Sequence, residues 1–132
     1  RSSSATSLSS SELMFGQTLL GARVRDVRSV LRYLRSLDDI DSKRIGLWGE
    51  SFAKPNAEET NVAVPLDATQ PQLAEPLGGL AAIITALFED EVIAVATRGS
   101  LISFRSVLDS PFVHVPHDVI VPGAVTAGDL SD

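Results

Sequence analysis

An apolar run of four residues, Ile45-Gly46-Leu47-Trp48, leads without a break into Gly49-Glu50-Ser51-Phe52-Ala53. Few backbone paths accommodate that junction. The run is short, uncharged and preceded by Lys43-Arg44, which reads as a buried strand over about 44–48. The residues after it follow a Gly-x-Ser-x-small pattern, expected where a strand turns sharply into a helix. Small residues two before and two after the serine let the backbone fold close to its neighbours. Gly49 meets that demand, and Ala53 meets it with one extra methyl. Such a turn would raise the Ser51 hydroxyl above the carboxyl edge of the sheet. It would also give Ser51 a strained backbone, with positive or near-forbidden φ.

Serine between small residues is common by chance, so the weight of the pattern rests on its flanks. Upstream, Leu20, Val24, Val27, Leu31 and Leu34 recur at alternating steps of four and three, which predicts a helix over about 16–37. Arg25, Arg28, Arg32 and Arg35 fall on its other faces and read as solvated flanks, with Asp26 as a local partner. Asp38-Asp39-Ile40-Asp41-Ser42 reads as a turn. Downstream, Leu77 to Phe88 is apolar nearly all round, and Gly78, Gly79, Ala81 and Ala82 suit a helix lying close against a sheet. Glu89-Asp90-Glu91 ends it. Three carboxylates are unfavourable at a helix C-terminus, so all three are expected to be exposed and not catalytic. Val92 to Thr97 is a second β-branched strand. Helix, turn, strand, sharp turn, helix, strand predicts parallel strands with helices on the sheet faces. The continuous Ile-Gly-Leu-Trp run suits a central strand buried on both sides.

The remaining segments carry weaker signals. Residues 1–12 are serine-rich and are expected to be flexible, leaving 13–132 as the folded part. The stretch at about 55–76 is polar and acidic, punctuated by Pro65, Pro71 and Pro76, and reads as an insertion. Connections of that length are either binding loops or structural excursions. Val62-Ala63-Val64 is too short to assign. Residues 100–110 suggest a short helix or an irregular packing segment. Beyond them Pro116 and Pro122 argue against a central strand among Val113, Val115, Val119, Ile120 and Val121.

Composition narrows the function classes. The 132 residues suffice for one domain, and 44% hydrophobic against 21% charged is a globular balance. The net charge of −6 is uneven, with nine Lys/Arg against six Asp/Glu in 1–54 and two against eleven in 55–132. Most of the chain would repel phosphate backbones, so nucleic acid is not the expected partner. No apolar run reaches the roughly 20 residues that span a bilayer, and no membrane association is expected. Without cysteine there are no disulfides or thiolate metal sites, and the two histidines, His114 and His117, show no ligand spacing. No metal or cofactor is expected.

Taken together, Leu20-Gly21-x-Arg23-x-x-Asp26, Leu31-x-Tyr33-Leu34 and Asp41-x-x-Arg44-Ile45-Gly46-Leu47-x-Gly49-x-Ser51 resemble the centre of an α/β-hydrolase. The branch most similar is that of acetyl xylan esterases and dienelactone hydrolases. Ala96-x-Arg98-Gly99, Leu108-Asp109-Ser110-Pro111 and Val121-Pro122-Gly123 resemble esterase members of the same branch less specifically. The resemblance implies a three-layer α/β fold with parallel strands and flanking helices, the elbow at 49–53. It implies Ser51 as nucleophile and the Phe52 backbone N–H as an oxyanion donor. In such enzymes the acid and the base follow the serine, on later elements. Here one strand follows, and a full domain of this kind is about twice as long, so the sequence reads as an incomplete domain. The order Ser51, Asp109, then His114 or His117 fits the sequence of roles at a much shorter spacing, with Asp118 as an alternative acid. His117 is accordingly a candidate base, against the alternative that both histidines are ordinary loop residues.

Two functions follow as expectations. In the first, Ser51 attacks an acyl carbonyl and water releases the acyl-enzyme, with small acyl esters or acetylated carbohydrates as the substrates the resemblance implies. In the second, the chain keeps the centre of the fold as a non-catalytic association module. Its open sheet edges would then be covered by a second copy or by the remainder of the same domain.

Overall fold

The computed structural model describes residues 3–53, 75–109 and 116–130. Most of the 55–76 insertion, together with Val62-Ala63-Val64, Pro111, Val113, Val115 and His114, lies outside the described residues. The elements in chain order are α1 (Ser3–Met14), α2 (Leu19–Arg35), β1 (Ile45–Glu50), α3 (Leu77–Leu87), β2 (Val92–Arg98) and α4 (Ala124–Ala127). Single 3-10 turns at Arg105–Val107 and His117–Val119 connect the last two.

Helix α2 forms where its apolar spacing predicts, with Leu20, Val24 and Leu31 buried. It starts later than the pattern alone suggests because Thr18 caps it: the Thr18 hydroxyl accepts the Gly21 N–H at 3.0 Å. A Thr N-cap is worth about 1 kcal/mol. Arg32 and Arg35 close the last turn, where positive charge suits the helix dipole. The acidic segment after it is turn and bend. There the Asp41 carboxylate accepts the Lys43 N–H at 3.0 Å, and the Asp41 carbonyl accepts the Arg44 N–H.

β1 and β2 pair in parallel, joined through α3. Ile45 pairs with Val92 but Gly46 with Ala94, so Ile93 is an extra residue on β2, a bulge that the sequence does not signal. Helix α3 packs on both strands and α2 packs on α3. The core gathers Leu20 and Val24 of α2, Leu80 and Ala81 of α3, and Val119 of the second 3-10 turn. The glycines of α3 permit the close approach that their size implies. A Cβ on Gly78 would overlap the Glu50 carbonyl, and one on Gly79 would overlap the Ser100 side chain.

Three expectations are corrected. The serine-rich start is helical over Ser3–Met14 and not a flexible tail; Ser11 donates to the Ser7 carbonyl at 2.9 Å, and buried Ser9 donates to the His117 carbonyl. Strand β1 is not buried on both sides, because helices cover one face and Trp48 on the other is 69% exposed. Glu89 is not exposed but 9% accessible, held by Arg28 at 2.6 Å and Arg35 at 2.5 Å. Two guanidiniums offset the cost of a carboxylate at the C-terminal end of α3. They hold its pKa below the ordinary value, the Arg28 hydrogen bond first and the Arg35 bond next.

Candidate functional site at the carboxyl ends of the strands

In open parallel sheets, ligands bind beyond the carboxyl ends of the strands. Here that edge brings together Glu50 at the end of β1 with Ser51 just beyond it, Arg98 at the end of β2 with Gly99 and Ser100 beyond it, and the first turn of α3. Ser51 lies one residue past β1, and its N–H donates to the Arg98 carbonyl at 3.1 Å, so the ladder continues into the serine. Beside it Glu50 and Arg98 form an ion pair at 3.3 Å. The Trp48 indole N–H donates to the other Glu50 oxygen at 3.1 Å.

Ser51 does not adopt the positive φ expected of it; among the described residues only glycines have positive φ. The serine keeps extended pairing to Arg98, and the chain turns after it. Its hydroxyl accepts the Ala53 N–H at 3.2 Å, a local serine turn. The left-handed conformation falls across the sheet instead, at Gly99 (φ 68°), which glycine adopts without strain and where a Cβ would stand 3.2 Å from the Ser51 Cβ. Gly99 therefore gives Ser51 its room.

Gly49 also has a different physical reason from the one its position suggests. It lies inside β1 and faces α3, and a Cβ there would stand 2.8 Å from the Ala82 Cβ and overlap the Gly78 carbonyl oxygen. Its smallness serves helix–strand packing. The Phe52 side chain is 99% exposed, so nothing described packs on the residue carrying the candidate oxyanion donor.

His117 sits in the second 3-10 turn, packed against α1, α2 and α3, with its carbonyl accepting from Ser9. No hydrogen bond joins it to Ser51 among the described residues. Asp118 lies in the same turn, and Asp109 follows the Arg105–Val107 turn. The strongest carboxylate network near the C-terminus belongs to Asp129. It accepts the Ser103 hydroxyl at 2.6 Å and the backbone N–H groups of Phe104, Arg105 and Leu130, which hold its pKa down to about 2. This network closes the chain end onto residues 103–105 and is structural.

Sequence reasoning missed Glu50 and Ser100 as members of this edge. Ser100 brings a buried hydroxyl without a hydrogen-bond partner among the described residues, against Gly79 of α3. The available signal was the small-residue pair Gly99-Ser100 directly after a strand, the same punctuation that marks Gly49 and Ser51. Among the described residues no three His, Asp or Glu side chains gather as a metal site, and no helix is long and apolar enough to cross a membrane. Comparison with protein-family models, with curated proteins and with solved structures finds no match.

Proposed function

We infer that this chain carries the nucleophile strand of a serine ester hydrolase with a three-layer α/β-hydrolase-type fold. The observation that carries the reading is the position of Ser51. It is the first residue beyond β1, at the carboxyl edge of a parallel strand pair and next to the first turn of α3. In the proposed chemistry the Ser51 Oγ attacks an acyl carbonyl carbon while a base takes its proton. The tetrahedral oxyanion collapses to an acyl-serine, expelling the alcohol, and water then releases the acid. The Phe52 N–H serves the oxyanion, and amides at the positive end of the α3 dipole add to the field there. Small acyl esters and acetylated carbohydrates are the proposed substrates, on the resemblance of residues 20–51 alone. The test is p-nitrophenyl acetate hydrolysis by the protein and its Ser51→Ala variant. A loss of at least about 10³-fold supports the reading, and equal rates overturn it.

One observation favours a second reading, a non-catalytic association module. The sheet face opposite α3 carries Trp48 at 69% exposure beside Ala94 and Ala96, and among the described residues no further strand pairs with either edge. Sedimentation across a concentration series, read together with Trp48 emission, separates the two readings. A concentration-dependent mass with a blue-shifting tryptophan supports association, and a constant mass with water-exposed emission rejects it.

A further inference from the structure

Arg25, Arg28 and Arg32 are spaced three and four apart on α2, which puts them on one helix face. With Ser29 and Glu89 they line a concavity of about 380 Å³. Arg28 is fixed there by the Glu89 carboxylate and by the Phe88 ring, whose centroid is 5.8 Å from its guanidinium carbon. The other two have neutral acceptors only among the described residues. Arg25 donates to the Gln17 side-chain oxygen at 2.9 Å, and Arg32 donates to the Ser29 hydroxyl at 3.0 Å. Asp26, the acid closest in sequence, turns instead to Arg23 at 3.3 Å. Glu89, the single carboxylate of the lining, is shared with Arg35.

The lining therefore holds three positive charges against one negative, in a chain whose net charge is −6. Like charges at these helical spacings repel one another. A ligand with oxygens on several sides would relieve that repulsion, and planar guanidinium forks match such oxyanions bidentately. We propose that this concavity binds a phosphate dianion, either free or as the terminal group of a larger molecule. Arg25 and Arg32 are the direct donors, and Arg28 is the pre-positioned third. The site is separate from the Ser51 edge. Ser51 lies near the first turn of α3 and Glu89 follows its last, so the 11-residue helix puts about 16 Å between them. The proposal stands whether or not Ser51 is a nucleophile.

The experiment uses the whole chain at low ionic strength, titrated with inorganic phosphate and, separately, with sodium chloride at matched ionic strength. The readouts are the Nε–Hε NMR signals of Arg25 and Arg32 and the thermal midpoint. Phosphate is expected to shift both arginine signals saturably and to raise the midpoint, with chloride doing neither. Arg25→Gln/Arg32→Gln, at two exposed positions, is expected to keep the circular dichroism spectrum and to lose at least tenfold in phosphate affinity. Parallel arms with phenyl phosphate and with phosphatidylcholine vesicles containing phosphatidic acid identify the source, since a soluble ester and a headgroup are then read separately. Any arm that binds, and is lost in the double variant, supports the proposal. Equal effects of phosphate and chloride, binding unchanged in the double variant, or no binding in any arm overturns it.

Discussion

Gly49 of β1 and Gly78 of α3 meet backbone to backbone. A Cβ on Gly49 would overlap the Gly78 carbonyl, and one on Gly78 would overlap the Glu50 carbonyl. Gly49→Ala must therefore push α3 off the sheet. Overpacking of this kind costs about 1–3 kcal/mol, to be read as a lower urea midpoint at unchanged m-value. Gly123→Ala provides a contrast. Its added methyl meets nothing within 4 Å, so the cost there comes only from the left-handed φ of 81°. A Gly49→Ala protein as stable as the parent would mean that the helix does not lie where it is described.

Glu89 links α2 to the end of α3 through Arg28 and Arg35. Because its folded pKa lies below the reference value of 4.5, its contribution is fully present above that value and is lost as pH falls through the folded one. Glu89→Gln should cost about 1–3 kcal/mol at pH 7, towards the low end because Arg28 is half exposed. The difference from the parent should shrink below about pH 4.5. Urea unfolding across a pH series checks the sign, and a difference that grows on acidification would contradict it.

Thr85 is fully buried in α3 and its hydroxyl has no hydrogen-bond partner among the described residues. Thr85→Val keeps the shape and removes the desolvated group. It should raise stability by about 1 kcal/mol, since an unsatisfied buried hydroxyl costs about 1–3 kcal/mol. A lower melting temperature would show that the hydroxyl is satisfied in solution.

No imidazole or carboxylate hydrogen bonds to the Ser51 hydroxyl among the described residues; its partner there is the Ala53 N–H. A serine without a base is a poor nucleophile at neutral pH. His117→Ala should therefore leave p-nitrophenyl acetate hydrolysis unchanged, since no hydrogen bond joins His117 to Ser51 among the described residues. A fall in rate matching that of Ser51→Ala would make His117 the base.

The elements that read clearly from the sequence are those whose pattern is set by their own neighbours. Leu20, Val24 and Leu31 reveal α2 because one helix face must be apolar. Val92 to Thr97 reveals β2 because β-branched residues crowd helices, and Gly78-Gly79 announces a close helix–sheet contact by size alone. What depends on distant partners did not read. Glu89 looks like one of three solvated acids until α2 brings Arg28 and Arg35 over it. Helix α1 has no apolar stripe, and a serine run carries no periodicity to mark it. At the candidate site the strand and the serine were legible, but the backbone of Ser51 was not. Its φ is decided by pairing with Arg98, 47 residues away.

That pairing has a kinetic side. Ile45 and Val92 belong to parallel strands, which no hairpin can join, so the first ladder bond requires closing the whole crossover. The closure entropy comes before any sheet hydrogen bond can offset it. Helices α2 and α3 can dock first through Leu20, Val24, Leu80 and Ala81, whereas β1 and β2 gain nothing until α3 is seated between their sequences. The strand amides should accordingly acquire protection from solvent exchange together with, and never ahead of, the amides of α3.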